Sequence, residues 1–108
     1  STPLIQNATA IPIGVGKVLV QWEVKGNAKE IDHFLVTREE LGMVTVVGKS
    51  HALTDSRSIQ FVDSFDSKRL DKRESYEGAV AYLITPVLYD YTLGATTKTP
   101  QVIVKKSR

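Results

Sequence analysis

The stretch Lys17-Val18-Leu19-Val20-Gln21-Trp22-Glu23-Val24 decides the class of fold. Its period is two. Val18, Val20 and Trp22 share one face, while Lys17, Gln21 and Glu23 lie on the other with Leu19, the pattern of a half-buried strand. Lys25-Gly26-Asn27-Ala28-Lys29-Glu30 follows as a polar loop. Ile31–Glu39 alternates again, with Phe34 and Val36 on one face and Leu35 and Thr37 on the other. Leu41-Gly42 reads as a turn and Met43–Gly48 as the returning strand. Ile59–Asp63, Ala79–Leu88 and Gln101–Lys105 are further β-rich runs. In Ala79–Leu88, Tyr82, Ile84, Pro86 and Leu88 share a face. A first, edge strand around Pro3, Leu4 and Ile5 respects the confinement of Pro to edges and strand starts. About seven short strands at roughly ten-residue spacing, with no strong helical segment, predict an all-β, seven-stranded antiparallel β-sandwich. A closed barrel is the competing arrangement.

The 108 residues suffice for one domain, 1–108, with 42% apolar and 24% charged residues. A chain of this length buries roughly 65% of its unfolded surface and needs no covalent staple. There is no cysteine, which excludes disulfides, Cys-based zinc sites, thiol nucleophiles and iron–sulfur clusters. With only two His, a His-rich metal site is not expected, and no cofactor is implied. A net charge of +2 is too mild to point to nucleic acid or an anionic membrane. No stretch approaches the ~18 continuous apolar residues of a membrane span, so direct insertion is not expected. The start at Ser1 and the basic end Lys105-Lys106-Ser107-Arg108 lead us to expect a domain cut from a longer, multidomain chain.

The longest polar stretch, Asp63–Gly78, alternates charge signs and reads as a solvated loop with room for a helical turn. Around it stand residues with a recognisable order. Val20-x-Trp22 resembles the Leu-x-Trp of fibronectin type III domains. Nine residues beyond Trp22, Ile31-Asp32-His33-Phe34-Leu35-Val36 resembles that family's Ile-Asp-Gly-Tyr-x-Val third strand. Phe61-Val62-Asp63 resembles the end of its fifth strand. Tyr82-x-Ile84-x-Pro86 resembles the sixth, with Tyr82 as the tyrosine-corner residue, its hydroxyl expected to reach a backbone partner. Val102 and Val104 fit the last strand. The similarity runs from about Pro3 to Lys105. The connection before Tyr82 is longer than in the family and lacks its Pro-Gly-Thr. Pro86 removes a ladder donor, so a bulge or an unpaired side is expected there. Immunoglobulin-like sandwiches without cysteine are the near alternative. The resemblance implies a core built on Trp22, Phe34 and Tyr82.

The chain carries no catalytic pattern. Ser, His and Asp occur without a nucleophile elbow. His33 lies on the face opposite Phe34, and His51 sits in the polar run Lys49-Ser50-His51. Glu39 and Glu40 are adjacent, so on a strand they point to opposite faces. Gly14-Val15-Gly16-Lys17 lacks the rest of a phosphate loop. We therefore expect a non-enzyme. Asn7-Ala8-Thr9 is a candidate N-glycosylation sequon. Tyr89-Asp90-Tyr91-Thr92-Leu93-Gly94 reads as a hairpin connection, with Gly94 supplying positive φ. Tyr89, Asp90, Tyr91 and Leu93, joined at one end of the sandwich by Lys25, Asn27 and Lys29, are the candidate partner-binding loops. Exposed Tyr gives contact area at low entropy cost. The bland alternative has one Tyr packed on the rim. Met43–Val47 is apolar on both faces, and Val44, Val46 and Val47 form a candidate edge strand for a neighbouring domain or another chain. Its competing reading has Met43 or Val47 covered by the Asp63–Gly78 loop.

The resulting expectation is a non-catalytic, extracellular or cell-surface module for protein–protein interaction, adhesion or domain spacing. Two alternatives stand beside it. One is an accessory spacer or carbohydrate-binding module of a secreted enzyme. The other is an intracellular or viral structural sandwich. A sugar platform has only Tyr76, Tyr89 and Tyr91 to draw on.

Overall fold

The computed structural model describes residues 2–51, 57–65 and 77–105, and these are all β apart from loops and one 3₁₀ turn. The strands are β1 (Leu4–Gly14), β2 (Lys17–Lys25), β3 (Ile31–Glu40), β4 (Met43–His51), β5 (Ser58–Ser64), β6 (Glu77–Leu88), β7 (Thr97–Lys98) and β8 (Val102–Lys105). They form two antiparallel sheets. One is three-stranded, in the order β1-β2-β5. The other is five-stranded, in the order β4-β3-β6-β7, with β8 also paired to β6.

The facing sides of the two sheets make one core, a sandwich-like arrangement. Val18, Val20, Trp22 and Val24 of β2 and Ile59 of β5 supply one wall. Phe34 and Val36 of β3, Val80, Tyr82 and Ile84 of β6, and Val104 of β8 supply the other. The alternation in Lys17–Val24 is therefore what orients β2. Trp22 meets Phe34 edge-on, with ring centroids 5.3 Å apart at 68°, a favoured aromatic geometry. The Trp22 indole N–H has no hydrogen-bond partner among the described residues. That costs about 1–3 kcal/mol. Burying roughly 150–250 Å² of ring at about 25 cal/mol per Å² returns about 4–6 kcal/mol, so packing prevails.

A polar network crosses this core. Arg38 of β3 and Tyr82 of β6 are directly opposed in the ladder. Both reach the Asp63 carboxylate of β5 in the other sheet. Arg38 Nη1 donates to Asp63 Oδ2 at 2.7 Å, and the Tyr82 hydroxyl donates to the same oxygen at 2.6 Å. The Arg38 guanidinium also lies 4.2 Å from the Phe65 ring centroid. Two expectations are corrected here. The Tyr82 hydroxyl binds a side-chain carboxylate instead of backbone, and Asp63, which was expected to end a strand and to open a solvated polar stretch, does lie in a strand but is buried. A lone buried carboxylate is too costly to leave unpaired, which is why two donors converge on it. Residues 66–76 of the long polar stretch, Tyr76 among them, lie outside the described residues, as do 106–108. Glu77 and Gly78 already belong to β6.

The expected last strand, Gln101–Lys105, is found as β8, and a short strand that was not expected, β7, precedes it, so the described residues form eight strands where seven were expected. Pro100 has no N–H to donate. The chain leaves β6 at Thr99, and the Thr99 hydroxyl accepts from the Tyr82 N–H at 2.9 Å in place of a backbone oxygen. The ladder resumes at Val102. Pro86 sits within β6 opposite Phe34, and the irregularity falls nearby, between Ile31 and His33 of β3. Ile5 of β1 and Gly16 of the turn that follows it are bonded to the last strands. The Thr97 hydroxyl donates to Ile5 O at 3.2 Å, and Gly16 N donates to Lys105 O at 2.7 Å. Opposite it, β4 is the outer strand of the larger sheet.

Replacing Trp22 or Phe34 by Ala is expected to cost about 3–5 kcal/mol, read from urea unfolding midpoints. Burial pushes the Tyr82 phenol far above its ordinary value of about 10, and Asp63 pushes it further, against Arg38. The native state therefore keeps a proton that the unfolded state releases at high pH. The Tyr82 contribution is fully present below about pH 10 and is lost above it, at about 1.4 kcal/mol per pH unit. Tyr82→Phe should be less stable than wild type by about 1–3 kcal/mol at neutral pH. That difference should shrink steadily above about pH 10 when unfolding is followed across the alkaline range.

Candidate functional site

Two loops meet at one end of the sandwich. The first joins β2 to β3. Asn27 caps the 3₁₀ turn Ala28–Glu30: its Oδ1 accepts from Lys29 N at 3.3 Å, and its Nδ2 donates to Glu30 Oε1 at 3.2 Å. Asn27, expected among the partner-binding residues, is thus committed to shaping its own loop. Lys25 closes β2 and Lys29 stands on the turn, both exposed.

The second loop joins β6 to β7. Tyr89 N donates to Glu30 O at 3.1 Å, which ties it to the first. Tyr91 N donates to Leu88 O at 2.9 Å, and Leu88 N donates to Thr92 O at 2.9 Å. Asp90 Oδ1 accepts from the Thr92 hydroxyl at 2.6 Å and from Thr92 N at 3.0 Å. These bonds, the hydroxyl first, hold the Asp90 carboxyl below its ordinary value. A backbone bridge between Val87 and Leu93 closes the base.

This closed loop forces a left-handed residue, and that residue is not the glycine. Tyr91 has φ 68°. A bulky L-residue there costs roughly 1–2 kcal/mol. Gly94 does not take the positive φ expected of it. Its N donates to Pro86 O at 2.8 Å, and a Cβ at position 94 would stand 2.6 Å from Pro86 Cγ. Gly94 is needed for close approach to Pro86. Tyr91 is 89% exposed, and Tyr89 and Leu93 are exposed beside it. An open depression of about 450 Å³ lies between the loops, lined by Lys29, Glu30, Leu88, Tyr89 and Asp90. Tyr89 stands beside the mixed charges of Lys29, Glu30 and Asp90 in its lining.

The candidate edge strand is brought out in part. Val44 and Val46 are exposed at 61% and 64%, with Met43 beside them. Val47 is different. The β3–β4 register slips between Val36 and Thr37, so Val47 is the extra residue and packs on the core. Asn7 is exposed at a second bulge, in β1, with φ 54° and its Nδ2 donating to Glu23 Oε2 at 3.0 Å.

The two histidines come together, which the sequence did not suggest. His33 and His51 are opposed across β3 and β4, with ring centroids 6.4 Å apart. Asp32 Oδ2 lies 2.8 Å from His33 Nδ1. Among the described residues no group of three or more His, Asp or Glu could hold a metal ion. Glu39 is paired to Lys98 Nζ at 2.8 Å on an exposed face. Among the described residues no helix is long and apolar enough to cross a membrane. The chain matches no protein-family model, and no curated protein matches it in sequence.

Tyr91→Gly should relieve the left-handed strain and unfold at an equal or higher urea concentration than wild type, despite losing a large side chain. Gly94→Ala should lower the stability by about 1–3 kcal/mol, read from a lower urea midpoint, because Pro86 leaves the new methyl no room.

Proposed function

We propose that the chain is a fibronectin type III-like sandwich module that works by binding a protein partner through its end loops. The reading makes it a non-catalytic, extracellular or cell-surface domain, used for adhesion, recognition or spacing in a multidomain protein. Several features support the fold part. The sheets divide as β1-β2-β5 and β4-β3-β6-β7, with β8 on β6. In the family's terms these are the A, B and E strands facing C′, C, F and a divided G. Trp22, Phe34 and Tyr82 hold the positions that the resemblance gives them in the core.

Tyr91 carries the binding part. A tyrosine 89% exposed and held at φ 68° gives nothing to the core. Strained backbone of this kind persists where surrounding structure over-determines it, and it clusters at ligand clamps and switch regions. The surrounding bonds from Leu88, Asp90 and Thr92 restrict the loop before any partner arrives. Less ordering entropy is then lost on binding. Tyr89 and Leu93 widen the apolar contact. Lys25 and Lys29 add positive charge at the rim, where charge favours encounter more than affinity.

The test is a binding screen of the purified domain against a panel of cell-surface ectodomains. The expected result is saturable binding to at least one, weakened about 30-fold or more by Tyr91→Ala, the size of a hot-spot loss of about 2 kcal/mol. The variant's urea midpoint should match wild type. Binding insensitive to Tyr89→Ala and Tyr91→Ala, or no binding across the panel, would overturn the reading.

A further inference from the structure

The sequon Asn7-Ala8-Thr9 has no part in the end loops, and the fold turns both of its defining side chains outward. Gln6 opposes Glu23 and Thr9 opposes Gln21, so two residues of β1, Asn7 and Ala8, stand against Trp22 alone. Asn7 is the extra residue, with φ 54°, in a bulge led by a left-handed residue. The insertion resets the alternation of β1. Gln6 is exposed, Ala8 packs on the core, and Thr9 is exposed again. In an unbroken strand, residues three apart take opposite faces, and Thr9 would turn inward. Backbone demands alone do not call for this pair. Glycine takes a left-handed position at lower cost than Asn. Thr9 meets Gln21 in the ladder, which any good strand former does equally well. The other asparagine, Asn27, is followed by Ala28-Lys29 and lacks the motif.

We propose that Asn7 is an N-glycosylation site whose glycan lies on the outer face of the smaller sheet. The inference rests on the extracellular reading above, because the glycosyl donor is a lipid-linked oligosaccharide pyrophosphate of the secretory pathway. In the transfer, a bond forms between Asn7 Nδ2 and the anomeric carbon of the donor. The bond from that carbon to the pyrophosphate oxygen breaks, and the lipid pyrophosphate leaves with its electron pair. One amide proton passes to a base of the transferase. The asparagine amide has two N–H groups. One donates to Glu23 Oε2 at 3.0 Å. Replacing the other leaves that bond to β2 in place.

The surroundings suit a sugar. Thr9, Gln21 and Gln60 form one row across the sheet beside Asn7, and Glu23 stands in the next. All four side chains are polar, so sugar hydroxyls meet hydrogen-bonding groups there. A bulky, solubilising group fits at an exposed position of this kind and would not fit at Ala8, which packs on the core.

The test is expression of the chain behind a cleavable secretory signal in a eukaryotic cell, with mass spectrometry of the protein from both cells and medium. Wild type should carry a glycan that peptide N-glycosidase removes, converting Asn7 to an aspartate as it does so. Thr9→Ser keeps the hydroxyl and should be modified too. Asn7→Gly and Thr9→Val should both be unmodified. Both should fold, since Gly suits φ 54° and Val suits an exposed strand position. If either fails to fold, the other decides. The glycosylated chain should unfold at a urea concentration equal to or above that of the enzymatically released chain. An unmodified wild type, modification that survives Asn7→Gly or Thr9→Val, or a glycan that lowers the urea midpoint would each overturn the proposal. An unmodified wild type leaves the end-loop reading standing, whereas a chain modified at Asn7 that binds no ectodomain overturns that reading alone.

Discussion

One carboxylate couples the two sheets. Asp63 comes from β5, and its two donors, Arg38 and Tyr82, are opposed residues on β3 and β6. Apolar packing between sheets tolerates small slips, because dispersion and burial have little directional preference. A charge buried at 4% residual exposure does not. Sliding β5 by one residue would turn Asp63 to solvent and leave Arg38 facing apolar side chains. Moving Tyr82 would strip one of the two donors. The network is thus better understood as a register lock than as a source of net stability, since buried ion pairs roughly break even against apolar replacements. The aromatic pair beside it supplies the energy, and the carboxylate says where the sheets must sit.

The end loops inherit that placement. β6 carries Tyr82 at its middle and runs on to Leu88, where the Tyr89–Gly94 loop begins. Pro86 presses on Gly94, and Tyr89 N is bonded to Glu30 O on the neighbouring loop. The loop is pinned at its base and its side, and the strain concentrates at its tip, in Tyr91. Glycine stands three residues away, at a position where φ is not the issue. Strain relief by moving the glycine was sterically blocked, because only Gly fits against Pro86.

Much of this was legible in the sequence where period and polarity suffice. The faces of Lys17–Val24 and Ile31–Glu39 sort as the alternation says, and Trp22, Phe34 and Tyr82 are buried together. Apart from β1, which runs on to Gly14, and the unexpected β7, the expected ends of the strands hold to within a few residues. What could not be read depends on pairing in space. Asp63 looks like the first of many loop charges until Arg38 and Tyr82 are set opposite it. Val47 looks like its valine neighbours until the register slip turns it inward. Thr99 and Pro100 separate the unexpected β7 from β8 through a hydroxyl that replaces a backbone acceptor, a substitution no periodicity reveals. The meeting of His33 and His51 needs the β3–β4 register, and the left-handed Tyr91 needs the hydrogen bonds around it.

The edges of the sheets divide the molecule's surface into kinds of work. On one side, Ile5 of β1 and Gly16 of the turn after it are bonded to Thr97 and Lys105 of the last strands. On the other, β4 ends the larger sheet with Val44 and Val46 uncovered. An apolar edge is a hazard that soluble proteins blunt by bulges and lysines. Here the blunting is partial: the bulge and Lys49 guard the far half of β4, and the near half, next to the hairpin turn, stays regular. A fully protected edge would carry the bulge at its centre. The loop at Tyr91 and the edge at Thr45 therefore belong to different margins of the same sheet.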